Sequence, residues 1–310
     1  MTDRLQYPLR KQGLDHGWFQ HSTILQRPKV TWPNGAHVAL WITVPIEFFP
    51  LDVPTPVVRP LGGLDRGYPD FWSYSNRDYG MRIGIFRIMN VLDALGLSAT
   101  AAVNGHAVTE YPEVMSAIAA RHWEIIANGL DMGHAHHAQV PLEHEQSYID
   151  KTKELLAPLA GSAGLLGWHS PGHSQSAQTM RLLAEAKFKY VADWVNDETP
   201  YWVTTPAGRL VAMPLTYELS DRLLLVQHNL TLRDYENHIG NAFERLMEEA
   251  TAQGPSAVFS LSISPWILGY PHRIAGLRRV LEKVMASGRV WNATGRDIVQ
   301  HFSEQVPAAT

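Results

Sequence analysis

Apolar residues along this chain fall into two kinds of block that alternate with some regularity. Short, nearly continuous apolar runs suit strands buried on both faces, and longer segments with apolar residues every three or four positions suit helices that cover them. The turn sequence Trp32-Pro33-Asn34-Gly35 launches the first strand, His37 to Val44. Gly80 to Leu95 has helical spacing and stops at Gly96. A strand at Ala99 to Val103, a helix after Pro112 and a strand running into Asn128 follow. The spacing then predicts a helix at about 142–158, a strand at Leu165 to His169, a helix from Ser176 to Ala186, and strands at Tyr190 to Trp194 and Leu210 to Leu215. It continues with a helix at about 233–251, a strand at Ala257 to Ile263, a helix at about 273–286, a strand at Arg289 to Ala293 and a helix from Gly295 to Phe302. This alternation is that of an α/β barrel of seven or eight parallel strands ringed by helices.

No linker divides the 310 residues, and no fixed-period repeat suggests a solenoid. The reading is one barrel domain over 37–304, with an N-terminal arm at 1–36 and a short tail at 305–310. Leu51 to Asp78, rich in Pro, Gly and aromatics, is expected to be a long ordered loop walling one side of a pocket.

Composition narrows the chemistry. With 45% hydrophobic and 18% charged residues the chain has material for a large core. Its net charge of -4 is not concentrated, and no basic stripe interleaves with aromatics, so nucleic acid is not an expected partner. The absence of cysteine excludes disulfides, thiolate nucleophiles and cysteine-held zinc, so a metal would need His, Asp or Glu. There is no signal-peptide pattern and no apolar run of membrane-span length; a cytoplasmic protein with a small, weakly charged or uncharged ligand is expected.

In a parallel barrel the chemistry gathers at the carboxyl ends of the strands. Strand one ends at Glu47, among apolar neighbours. Strand three ends at Asn128-Gly129-Leu130-Asp131-Met132-Gly133-His134-Ala135-His136-His137, and strand four at His169-Ser170-Pro171-Gly172-His173. Later ends offer Asp193 and Trp194, Tyr217 and Glu218, and Ser264-Pro265-Trp266 followed by His272-Arg273. Glu47 and a histidine could serve as base and acid for attack of water on a carbonyl, or the clustered histidines could ligate a metal, or the cluster is a solvated loop. Trp194, Trp202 and Trp266 read as packing residues or as the rim of a pocket.

Taken in order, these residues resemble the polysaccharide deacetylase (NodB-homology) superfamily, in particular its allantoinase-like and cyclic imide hydrolase-like branch. The resemblance is carried over about 30–300 by Trp32 to Gly35, by Tyr79-Gly80 with Arg82 and Arg87, and by Trp123-Glu124-Ile125 leading to Asn128-Gly129 and Gly167-Trp168. Asp193 with Pro200-Tyr201-Trp202, Pro214 to Asp221, and Pro265-Trp266 to Ile274 complete it. It implies a deformed (β/α) barrel that hydrolyses amide-type C–N bonds. In many members a divalent metal is held by an Asp on strand one and a His-x-x-x-His pair after strand three.

Here Glu47 stands near the acidic position, Asn128 and Met132 occupy the two His positions, Ser264 replaces the strand-seven His, and His169-Ser170 replaces the strand-four Arg. Met and neutral Asn are poor ligands for a zinc-like ion, so no metal is expected at the usual positions. The implied function is hydrolysis of a small amide, cyclic imide or ureide by activated water. The expected catalytic residues are Glu47, His136, His134 and His169. The expected substrate-binding residues are Tyr79, Asn128, Asp131, His137, His173, Trp194, Glu218, Ser264 and Trp266. If a zinc, manganese or nickel ion binds, Glu47, His134 and His136 are its expected ligands. A non-catalytic small-molecule-binding or accessory barrel and a metal-dependent carbohydrate N-deacetylase are the alternatives. Relatives suggest a homo-oligomer.

Overall fold

The structure is a computed structural model describing residues 16–51, 69, 71–251, 254 and 256–308. Its centre is β1 (Val38–Ile46), buried along its whole length. On one side β1 pairs in parallel with β8 (Ala257–Ser262). On the other, Val38 to Leu40 pair with β9 (Val290–Asn292), and Thr43 to Ile46 pair with β2 (Thr100–Val103). From β2 the parallel sheet continues through β3 (Glu124–Ala127), β4 (Gly167–Trp168), β5 (Tyr190–Val191) and β7 (Gly208–Ala212). β6 (Tyr201–Thr205) adds an antiparallel edge to β7. The expected deformed barrel is therefore present, as a curled sheet with one antiparallel hairpin.

The two-residue period of β1 sorts its side chains between two cores. Val38, Leu40, Ile42, Val44 and Ile46 face the cluster shared with the surrounding helices, whereas Ala39 and Trp41 face an inner cluster with Ala102, Ile126, Tyr190 and Val211. The inner face is not wholly apolar. Buried Glu124 accepts from the Thr100 hydroxyl at 3.0 Å and the Tyr190 hydroxyl at 2.8 Å, and Trp41 Nε1 donates to Thr100 Oγ1 at 2.9 Å. Burial holds the Glu124 carboxyl above its usual range.

Among the described residues the curl does not close by strand pairing. β8 is instead linked to the segments flanking the β6–β7 hairpin, by Val258 N–H to Glu198 O at 2.8 Å and Thr216 N–H to Ser260 Oγ at 2.6 Å. The described part of the arm lies against this side and the bottom of the barrel: Thr204 N–H donates to Trp18 O at 2.7 Å, Arg27 pairs with Asp197, and Trp32 Nε1 donates to Ala257 O at 3.0 Å.

Two sequence expectations change. Phe71–Tyr79 is helical (α1), not loop, and continues through a wide turn at Gly80–Gly84 into α2 (Ile85–Leu95). Long-range packing decides it, since the Tyr79 ring stacks on Tyr270 at 4.3 Å, beyond the reach of local periodicity. The wide turn brings this helix against the short helix Pro265–Leu268: a Cβ at Gly84 would lie 2.1 Å from Pro265 O, so only glycine fits. The remainder of the expected 51–78 loop, residues 52–68 and 70, lies outside the described residues. Strand β6 is hidden in the sequence because its residues are of mixed burial, with Val203 and Thr205 buried and the others partly or fully exposed, and carry no apolar run. No helix among the described residues is long and apolar enough to cross a membrane.

Candidate active site

The strand ends converge on two linked polar groups. At the end of β1, buried Glu47 is paired with the Arg222 guanidinium. Arg222 Nε also donates to Ser264 Oγ at 3.1 Å, and the Ser264 N–H and O–H donate to the Asp221 carboxylate at 2.6 and 2.9 Å. Thus the ends of β1 and β8 are joined by alternating charge. The guanidinium lies 5.7 Å from the Trp266 ring centroid, within cation–π reach, while the buried Trp266 Nε1 has no partner among the described residues.

The second group hangs on β3, β4 and β5. Asn104, buried at the end of β2, accepts from the Phe48 N–H at 2.8 Å and donates to the Asn128 carbonyl, tying three strand ends together. Asn128 Oδ1 lies 2.9 Å from His169 Nδ1, and the buried Asn128 Nδ2 is without a partner among the described residues. Gly129 has φ +65°, and a Cβ there would meet the Pro171 ring at 2.3 Å, so glycine lets the loops after β3 and β4 stack and brings Asn128 to His169. Gly172 and His173 then both take left-handed conformations, φ 62° and 57°. That conformation is unfavourable for a histidine, and it presents the His173 ring edge-on to His169 at 4.6 Å. Asp193, at the end of β5, accepts from the Ser170 N–H at 2.6 Å, the Ser170 hydroxyl at 2.7 Å and Gln175 Nε2 at 2.5 Å.

Burial controls the charges. It pushes His169 well below the usual imidazole range and His173 down to about 4, and in both the Arg222 charge adds to the effect, so both rings are neutral at neutral pH. Arg222 thereby links the two groups. Asp193 is pushed up to about 6 and Asp221 up to about 7, in each case by burial, with the hydrogen bonds described above opposing the shift.

For Asp221 this yields a pH prediction. The folded protein keeps a proton that the unfolded chain, with a carboxyl near 3.8, releases; stability therefore falls as pH rises from about 4 to 7 and levels above that. Asn mimics the protonated acid, since its oxygen can accept from Ser264 N–H and its amide can donate to Ser264 Oγ. Melting temperatures of Asp221→Asn measured across this window are expected to be flatter than wild type; an unchanged slope would rule out Asp221 as the group responsible.

The other sequence candidates are placed apart. His134 Nδ1 lies 2.7 Å from Asp131, whose other oxygen lies 2.8 Å from His106 Nδ1; Asp131 is buried and spent on these two rings. His136 is fully buried, its Nδ1 3.1 Å from Glu145, which also accepts from Ser176 and Thr179. It packs edge-on against Trp168, so it does not meet Glu47 as an acid–base partner. His137 accepts from its own loop at the Gln139 N–H. The expected metal group of Glu47, His134 and His136 is accordingly not assembled, because each is held by a different partner.

Trp194 Nε1 donates to Gln175 Oε1 at 3.0 Å and orients that amide toward Asp193. Trp194 also packs edge-on with Trp18 and lines a cavity of about 520 Å³ with His16, Phe19 and Asp193. Trp266 lines another, of about 350 Å³, with Asn76 and Tyr270; Tyr79 is stacked behind Tyr270 and hydrogen-bonded by Arg87. Glu218 is exposed beside a separate cavity with Arg27 and Asp197. Sequence reasoning left Arg222, Asn104 and Gln175 unassigned. Arg222 did leave a signal, a charged pair with Asp221 immediately before the apolar Leu223-Leu224-Leu225.

Residues 74–191, from α1 to β5, match the family model for polysaccharide deacetylase. A curated protein of Schizosaccharomyces pombe, provisionally named a polysaccharide deacetylase, is 26% identical over 316 residues, covering 89% of this chain and 93% of that protein. Two crystal structures share the fold over 92% of the chain. One, of Puue allantoinase, has a TM-score of 0.82 at 23% identity over 96% of its length; the other, of a probable polysaccharide deacetylase from Pseudomonas aeruginosa PAO1, has 0.81 at 22% over 97%.

The metal-holding positions of this deacetylase family do not fit an ion here. Glu47 is neutralised by Arg222, Asn128 is an uncharged amide, and Met132 is a buried thioether whose N–H is bonded to Phe48 O. Among the described residues, the His, Asp and Glu side chains that do converge are His169, His173 and Asp193, with one donor atom from each within 4.8 Å of the others.

Proposed function

We propose that this protein is a hydrolase that cleaves the C–N bond of a small amide, cyclic imide or ureide with water. The observation that carries the reading is the pair of neutral imidazoles, His169 and His173, set at the strand ends under the influence of the Arg222 guanidinium. With the Asn128 amide oriented as found, His169 Nδ1 carries the ring proton and Nε2 keeps a lone pair. Such lone pairs can hold and orient a water beside a carbonyl carbon. Arg222, kept in place by Glu47 and Ser264, is suited to the negative charge that develops on the carbonyl oxygen. The family match and the fold shared with an allantoinase support the same reaction class.

The test is a panel of cyclic imides, hydantoins, linear ureides, N-acyl amines and N-acetylated sugars followed by NMR. Turnover of a small imide, ureide or amide is expected. Ligands that raise the melting temperature with no turnover of any compound would instead identify a binding protein, and turnover confined to sugars would identify a carbohydrate deacetylase.

A further inference from the structure

We infer that His169, His173 and Asp193 form a divalent-cation site, displaced from the positions at which the family holds its metal. Two imidazoles and a carboxylate are a common donor set for zinc and its neighbours, and three protein ligands leave a fourth position open to water. The donor atoms lie within 4.8 Å of one another, whereas a tetrahedral zinc site sets them about 3.3 Å apart, so side-chain rotation has to close the cluster modestly.

Three features prepare the site. The Asn128 oxygen on His169 Nδ1 and the three donors on Asp193 are the outer hydrogen bonds that orient metal ligands. Trp194 extends this support by fixing Gln175. His173 is held in a strained left-handed turn, and its buried Nδ1 finds no partner among the described residues, which leaves a lone pair for a ligand. The nearby charge of Arg222 does not forbid a cation, because Glu47 balances it. The spacing His169-x-x-x-His173 puts both rings on one loop after β4, where the sequence alone showed only a substitution for arginine.

The inference deepens the hydrolase reading and rests on its site, since an ion taken up by those lone pairs would itself carry the attacking water in their place and lower its pKa. Binding is nevertheless measured without turnover. Chelator-treated full-length protein is titrated with zinc by calorimetry and with cobalt by visible absorption, alongside Asp193→Asn, His173→Asn and His134→Ala. Asn tolerates the left-handed turn, and melting curves establish that each variant is folded. One equivalent of zinc, a tetrahedral cobalt spectrum, retention of both in His134→Ala and at least about 100-fold weaker binding in His173→Asn and Asp193→Asn are expected. No binding by the wild type, or binding unchanged by the two ligand substitutions, overturns the site. Turnover by chelator-treated protein that binds no zinc would sink the cation site and keep the hydrolase. Stoichiometric zinc with no turnover of the panel would do the reverse.

Discussion

Replacing His169 with alanine is expected to lower turnover by about 10²- to 10⁴-fold while moving the melting temperature by only a few degrees. The ring is half-buried at the mouth of the site, its one described hydrogen bond is to Asn128, and water can take its place. The same substitution at His136 should do the opposite. That side chain is fully buried against Trp168 and pairs with buried Glu145, so His136→Ala opens a cavity and weakens the compensation of a buried carboxylate. A loss of about 3–5 kcal/mol in unfolding free energy is expected, with residual protein still active. Kinetics on the substrate found by the panel, together with denaturant melts, separate the two. If His136→Ala kills turnover in a fully stable protein, the sequence-based assignment of His136 as the catalytic group is right and the placement argued here is wrong.

The second large effect concerns Glu47 and Arg222. Their side chains are 4% and 12% exposed, so neither charge is tolerable alone. Arg222→Met should destabilise the protein by about 3–5 kcal/mol, since it strands Glu47 and withdraws a donor from Ser264. The double variant Glu47→Gln with Arg222→Met removes both charges and should recover most of that stability, without recovering turnover, because the positive charge facing the carbonyl oxygen is gone. A single variant that loses less than about 1 kcal/mol would mean that the pair behaves as a solvent-exposed one.

Much of the fold was legible because buried parallel strands are apolar throughout and amphipathic helices repeat every three to four residues. Runs such as His37 to Val44, Ala99 to Val103 and Ala257 to Ile263 lie within a residue or two of the strands they predict. The same logic failed at β6, which is partly exposed and short, and at Phe71–Tyr79, whose helix is held by stacking on Tyr270 nearly two hundred positions away. For the site, the rule that chemistry follows the strand ends picked out Glu47, Asn128, His169, His173, Ser264 and Trp266, and the structure brings them to the same end of the barrel. It could not assign partners. The three histidines of the loop after β3 carry the strongest local signal, yet that loop turns His134 toward Asp131, His136 down to Glu145 and His137 back on itself.

What the sequence determined by itself is the α/β barrel, the lack of any thiol chemistry, and the Asn128 and Met132 that stand where the family it resembles carries two histidines. These follow from residue type and period, which are local properties. Only the tertiary structure decided that Glu47 is neutralised by Arg222, that His136 is a buried ring paired with Glu145, and that His169 and His173 meet Asp193. Each of those outcomes depends on which distant strand end lies alongside, and hence on burial and on the partner a charge or lone pair finds, neither of which is encoded within any one stretch of the chain.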